Sequence, residues 1–211
     1  EGKVTEAELR TAAFRLMRTR LRLGLPGDKT PWDDLSYADV DTDEHRALNL
    51  DVARKALVLL KNQDGFLPLD RKKLHTVAVI GPNAISTVAL EGNYCGTAGE
   101  YHTVYDGIRE ALPQTTRVYY AQGSHLCLDR VEDLSKKPND RLSEAVAIAA
   151  RSELVILAVG LDQSIEGEEM PDSKLKTCGD KPDLLLPEGQ RALMTAIGKT
   201  GVPTIIVNMS G

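Results

Sequence analysis

The hydrophobic pattern changes character near residue 75. Before it, apolar positions recur at helical spacing; after it, short apolar-rich runs that read as strands alternate with helix-period stretches of about ten residues. The runs are Thr76-Val77-Ala78-Val79-Ile80, Arg117-Val118-Tyr119-Tyr120-Ala121, the seven residues from Leu154 to Gly160, and Pro203-Thr204-Ile205-Ile206-Val207. The central run shows no period-2 alternation, so it reads as a strand buried on both faces, as in parallel sheets covered by helices. Helices are predicted over residues 106–112, from Asn139 or Asp140 through Leu142, Ala145, Val146, Ile148 and Ala149, and from Pro187 through Gln190, Leu193, Met194 and Ile197 to Gly201. Strand and helix in alternation predict β-α-β crossovers and an α/β fold with a mainly parallel sheet.

The first 70 residues read differently. Thr5 and Glu8 have capping-box spacing, and Leu9, Ala12, Ala13, Leu16 and Met17 form a helical stripe that Gly24, Pro26 and Gly27 stop. Residues 24–41 are rich in Asp, Pro and Gly and read as a linker, with Trp32 and Tyr37 expected to pin it to a neighbouring surface. A second helix starts near Thr42 or Asp43 and runs through Ala47, Leu48, Val52, Ala53 and Ala56. The following Leu57-Val58-Leu59-Leu60-Lys61-Asn62 either completes that helix or forms a short strand. Asp64-Gly65 then turns the chain and Pro68 stops regular structure.

The long loop after the central strand changes the picture most. Asp162, Glu166, Glu168 and Glu169 follow Gly160 closely, and no apolar run returns until Leu184. In open α/β sheets ligands sit beyond the carboxyl ends of strands, so this acidic loop occupies the place for chemistry. Taken alone, it also fits a solvated loop that favours solubility.

Composition narrows the rest. The chain has 211 residues, 42% hydrophobic and 27% charged, with a net charge of -5, which disfavours nucleic acid as a partner. The Arg-rich face of the first helix is accordingly read as solvated. No apolar stretch reaches the roughly 18 residues of a spanning helix, and no signal-peptide pattern is present. Glu1 in place of Met, and Gly211 directly after an apolar run, suggest a piece of a longer or processed protein.

Several common chemistries find no support. The turn Gly81-Pro82-Asn83-Ala84-Ile85-Ser86 is not a dinucleotide fingerprint, and the glycine-rich stretch at 92–99 lacks a P-loop ending, so no cofactor is expected. That stretch is a tight loop or a ligand rim to which Tyr94 offers a ring and a hydroxyl. His45, His75, His102 and His125 are scattered, so no metal site is expected. Cys178 has no nearby His to activate it. Asn208-Met209-Ser210 matches a glycosylation sequon but follows a buried strand.

Six separated motifs occur in an order that resembles glycoside hydrolase family 3. They are Leu59-Leu60-Lys61-Asn62 with Leu67-Pro68-Leu69; Val79-Ile80-Gly81-Pro82-Asn83-Ala84; Gly92-Asn93-Tyr94 with Gly96; Val159-Gly160-Leu161-Asp162-Gln163-Ser164-Ile165-Glu166; Leu185-Leu186-Pro187 with Gln190; and Met209-Ser210-Gly211. The Gly-Leu-Asp-Gln-Ser-Ile-Glu string is most similar to the β-xylosidase and α-arabinofuranosidase branch, beside the β-glucosidases. The resemblance implies that residues 1–23 are the terminal helix of a preceding (β/α)8-type barrel and 24–70 an interdomain linker. Residues 71–211 are then a three-layer α/β/α sandwich domain, incomplete here.

The resemblance further implies an exo-acting retaining glycosidase that removes terminal β-xylosyl, arabinosyl or glucosyl units from an oligosaccharide or glycoside. Such enzymes use a nucleophilic carboxylate and a second carboxyl as acid and base. The nucleophile belongs to the barrel, a partner module that precedes Glu1, so the chain alone is expected to be inactive. The acid/base is assigned to Glu166, with Glu168 and Glu169 as rivals, and Tyr94 and Asp162 as substrate-binding residues. Carboxylates crowded beside an apolar wall raise a proton donor's pKa by repulsion and desolvation. A secreted, extracellular enzyme is expected, and Cys95 and Cys127, each just after a strand end on one side of the sheet, are candidates for a disulfide. The sequence departs from the family where Met170 to Asp183 replaces an expected Asp-Arg, and where Thr103-Val104 replaces Thr-Pro. These departures leave open a non-catalytic carbohydrate-recognising or structural paralogue. A nucleotide-binding domain is disfavoured by the missing phosphate loop.

Overall fold

The computed structural model describes residues 2–25, 27, 29–30, 32–92, 96–127, 140–165 and 183–210. They form two compact units that divide between Lys61 and Asn62.

The first unit is helical. Helix α1 (Glu6–Arg22) begins with the expected capping box: Glu8 N donates to Thr5 Oγ1 at 3.3 Å, and Thr5 N donates to Glu8 Oε2 at 2.8 Å. Glutamates in its first turn and arginines in its last complement the helix dipole. Helix α2 (Asp43–Ala56) is capped by Thr42. It ends where Leu57 turns extended, and residues 57–62 are neither helix nor strand. Neither helix buries a residue. Trp32 and Tyr37, expected to be packed, are exposed, Tyr37 at 90%.

In the second unit Asn62 closes the first turn by pairing with the backbone of one residue: its Nδ2 donates to Leu67 O at 2.9 Å and its Oδ1 accepts from Leu67 N at 2.8 Å. Asp64 and Gly65 take positive φ in that turn. The described residues then build four parallel strands in the order β2-β1-β3-β4: β1 (Thr76–Ile80), β2 (Arg117–Ala121), β3 (Leu154–Gly160) and β4 (Thr204–Met209). The first three match the apolar runs residue for residue. β4 continues two residues past Val207, because Asn208 and Met209 pair with Val159 and Gly160.

Helices α3 (Val104–Ala111), α4 (Asp140–Ala149) and α5 (Glu188–Gly198) connect the strands. Residues alternate across each strand, so β1 and β3 contribute to both faces. Ala78, Ile80, Val155, Leu157 and Val159 pack with Ala145 and Ala149 of α4 and Leu193 and Ile197 of α5. On the opposite face Val77, Leu154 and Ile156 pack with Val104 and Ile108 of α3. The core therefore lies in two sheets of contact, one on each side of a covered parallel sheet.

Candidate functional site

The strand order fixes where a site can form. From β1 the chain crosses to β2 on one side and later returns to β3 on the other, so β1 and β3 are neighbours whose connections leave in opposite directions. Such a switch point opens a crevice beyond the carboxyl ends of the two strands. Gly81-Pro82-Asn83 leaves β1 there, and Gly160-Leu161-Asp162 leaves β3.

Both exits need glycine. Gly81 has φ 128°, and a Cβ on it would lie 1.9 Å from Ala158 O; Gly160 has φ 151°, and a Cβ on it would lie 2.2 Å from Met209 O. The neighbouring strand's backbone fills the space a side chain would need.

The root of the acidic loop is held by hydrogen bonds. Leu161 N donates to Met209 O at 2.9 Å. Gln190 on α5, fully buried, accepts from Gly160 N at 2.9 Å through Oε1, and its Nε2 donates to Gly160 O at 2.8 Å and Leu126 O at 2.6 Å. Asn83, also fully buried, donates from Nδ2 to Leu161 O at 3.1 Å. Asp162 is half-buried, and its Oδ1 accepts from Ser164 N at 2.8 Å and Ser164 Oγ at 2.6 Å. Ile165 N donates to Asp162 O at 3.0 Å, and the Ile165 side chain is buried. The described chain thus runs from Gly160 to Ile165 as a closed turn on a fixed base.

Of the residues singled out in the sequence, the structure places Asp162 in this turn and Cys127, half-buried, after β2. Glu166, Glu168, Glu169, Tyr94, Cys95 and Cys178 lie outside the described residues. Two buried polar oxygens at the same end of the sheet, Asn83 Oδ1 and Ser124 Oγ, have no hydrogen-bond partner among the described residues. The described residues contain no group of three His, Cys, Asp or Glu side chains suited to a metal ion, and no helix long and apolar enough to cross a membrane.

Gln190 and Asn83 hold the root of the loop without being among the site residues expected from the sequence. The signal was present: Gln190, Leu193 and Ile197 follow helical spacing, which sets a polar amide on the inward stripe of α5. The helix at α3 also starts two residues before the expected Asp106. Thr103 and Asp106 form a capping box, with Asp106 N donating to Thr103 Oγ1 at 3.2 Å. Val104 then occupies the first helical position, one that suits proline. Replacing the family's Thr-Pro with Thr103-Val104 therefore leaves the cap intact.

Fold and crevice together define a doubly wound α/β domain with a parallel sheet and a loop-bearing site at its topological switch point. The chain belongs to glycoside hydrolase family 3, since residues 57–211 match the glycosyl hydrolase family 3 C-terminal domain. It is 34% identical to a β-xylosidase of Formosa agariphila over 95% of its length, and 32% identical to a periplasmic β-glucosidase of Salmonella typhimurium over its whole length. It covers 26% and 28% of those two proteins. Among solved structures, an exo-β-xylosidase bound to a xylobiose aziridine activity-based probe superposes with a TM-score of 0.76 at 27% identity, over 97% of this chain and 24% of that one. The chain thus spans about a quarter of the length of these relatives.

Proposed function

We propose that this chain is the acid/base-bearing part of an exo-acting retaining glycosidase that hydrolyses terminal β-xylosyl residues, with arabinosyl and glucosyl units as related substrates. The observation that carries the reading is the fixed turn Gly160–Ile165 at the switch point, which leads directly into Glu166 in a chain similar to β-xylosidases. Glu166 protonates the leaving glycosidic oxygen and then, as a carboxylate, takes a proton from the water that releases the sugar. The nucleophilic carboxylate comes from a barrel module of the same protein, of which residues 1–23 are the terminal helix and 24–70 the linker. Asp162 and Tyr94 are the residues assigned to binding the sugar.

The exposed apolar side chains of the first unit support a covering module. Leu9, Phe14, Leu16 and Leu21 of α1 and Leu57 to Leu60 after α2 all lie open in this chain. A compartment outside the cytoplasm fits the periplasmic relative, and a Cys95–Cys127 disulfide fits that compartment. Alkylation followed by mass measurement checks the bridge: two fewer thiols react before reduction than after it.

The glycosidase reading is tested in the full-length protein with Glu166→Gln, Glu168→Gln and Glu169→Gln on xylosides of different leaving group. Loss of the acid is expected to lower kcat/KM by about 10²- to 10⁴-fold for an alkyl xyloside, and far less for a dinitrophenyl xyloside that needs no protonation. The effect is expected for Glu166 and not for its rivals. Equal turnover by wild type and all three variants, or no turnover by the wild type, favours a non-catalytic carbohydrate-binding paralogue.

A further inference from the structure

Two fully buried amide side chains, from elements on either side of the switch point, converge on successive residues of one strand end. Gln190 takes both the N–H and the C=O of Gly160, and reaches Leu126 O beyond β2 with its remaining donor. Asn83, from the turn after β1, takes Leu161 O. Packing alone gives no reason for an amide at these positions, since Gln190 lies in line with Leu193 and Ile197 and burying a polar group is costly unless its bonds are made. A pair of groups satisfied by one amide fixes orientation as well as distance, and Gln190 has its oxygen and both Nε2 hydrogens bonded, whereas Asn83 holds Leu161 O through Nδ2 alone. The next five residues carry that constraint forward. Leu161 is tied to β4, Asp162 closes its turn on Ser164, and Ile165 is buried immediately before Glu166.

We propose that Gln190 and Asn83 are positioning residues for the acid/base: they lock the backbone at Gly160 and Leu161, and so set where the loop's carboxyl meets the leaving oxygen. The proposal rests on the glycosidase reading above. Neither amide touches the sugar. They act through the strand end, so their loss affects the step that needs the acid and spares the step that does not.

The test uses the full-length protein with Gln190→Met, which keeps volume and removes all three bonds, Asn83→Leu, and Gln190→Glu, with Glu166→Gln alongside. Hydrogen exchange of the peptide spanning residues 160–165 is expected to accelerate about tenfold or more in Gln190→Met, while β1 stays as protected as in wild type. On an alkyl xyloside kcat/KM is expected to fall by about 10- to 100-fold, the range produced by an ångström-scale misplacement, with less than about threefold loss on the dinitrophenyl xyloside. Gln190→Glu is expected to regain activity on the alkyl substrate as pH falls, because a protonated carboxyl again donates to Gly160 O while an ionised one repels it. Should Gln190→Met fold poorly, the pH-dependent recovery of Gln190→Glu and the substrate split of Asn83→Leu decide the matter. Equal losses on both substrates, or exchange that rises equally in β1 and in the loop root, overturn the proposal. A substrate split in Gln190→Met without one in Glu166→Gln keeps the clamp and moves the acid elsewhere on the loop. No split in either variant ends both readings.

Discussion

Glu153 ties the entry of β3 to the entry of β1. Its Oε2 accepts from His75 N at 2.7 Å and Thr76 N at 3.2 Å, and its Oε1 lies 3.4 Å from His75 Nδ1. The backbone N–H of His75, then that of Thr76, holds this carboxyl below the usual glutamate range. A carboxyl whose folded pKa is lowered stabilises the fold above its unfolded pKa, and that contribution disappears as pH falls through the folded value. Denaturant unfolding is therefore expected to show stability declining as pH drops below the ordinary glutamate range. Glu153→Gln is expected to be less stable than wild type at neutral pH and to show a shallower acid decline, and identical slopes would contradict the account. At this scale the sequence was legible in part. Asp162 stood out by its place after a strand, whereas Gln190 and Asn83 did not, because a buried amide reveals its role only when the peptide it pairs with is known.

Each helix and strand was legible to the degree that its signal was local. Apolar-rich runs locate β1, β2 and β3 residue for residue; β3, buried at every position, has no polar residue to blur its limits, whereas β2 at the sheet edge starts on exposed Arg117. β4 extends past its apolar run because its last residues, Asn208 and Met209, are held by pairing with β3 and not by composition. Leu57 to Leu60 misled for the opposite reason: four apolar residues in a row satisfy either pattern, and they adopt neither. Helix α3 starts two residues before the predicted Asp106 because its start is set by the Thr103–Asp106 box. Thr103→Ala removes that cap, and the expected cost is about 1 kcal/mol by urea unfolding of the full-length protein. The Thr103 Oγ1 donor to Asp106 Oδ2 at 2.6 Å, the largest influence lowering the Asp106 pKa, is lost with it, so the acid limb of stability is also expected to flatten.

For the whole molecule, the second unit has a covered sheet and a core, whereas neither α1 nor α2 of the first buries a residue. If the barrel covers that apolar surface, Leu60→Ala is expected to cost about 2 kcal/mol or more in the full-length protein, as large-to-small changes in cores do. The same change in the isolated chain, where Leu60 is 84% exposed, is expected to cost no more than about 0.5 kcal/mol. Small effects in both would argue that these side chains stay in water. The change from helical stripes to alternating strands and helices near residue 75 is legible in the sequence as a change of hydrophobic period. The identity of the sugar is not legible there, since specificity rests on individual hydroxyl contacts that no motif spells out.

The central claim is that the loop leaving β3 carries the group that gives and takes the proton. The pH dependence of kcat/KM for an alkyl xyloside, measured on the full-length wild type and on Glu166→Gln, addresses it most directly. The account predicts a bell for the wild type, whose alkaline limb reports the protonated acid and vanishes in the variant. An alkaline limb that survives unchanged in Glu166→Gln would show that the proton comes from another residue.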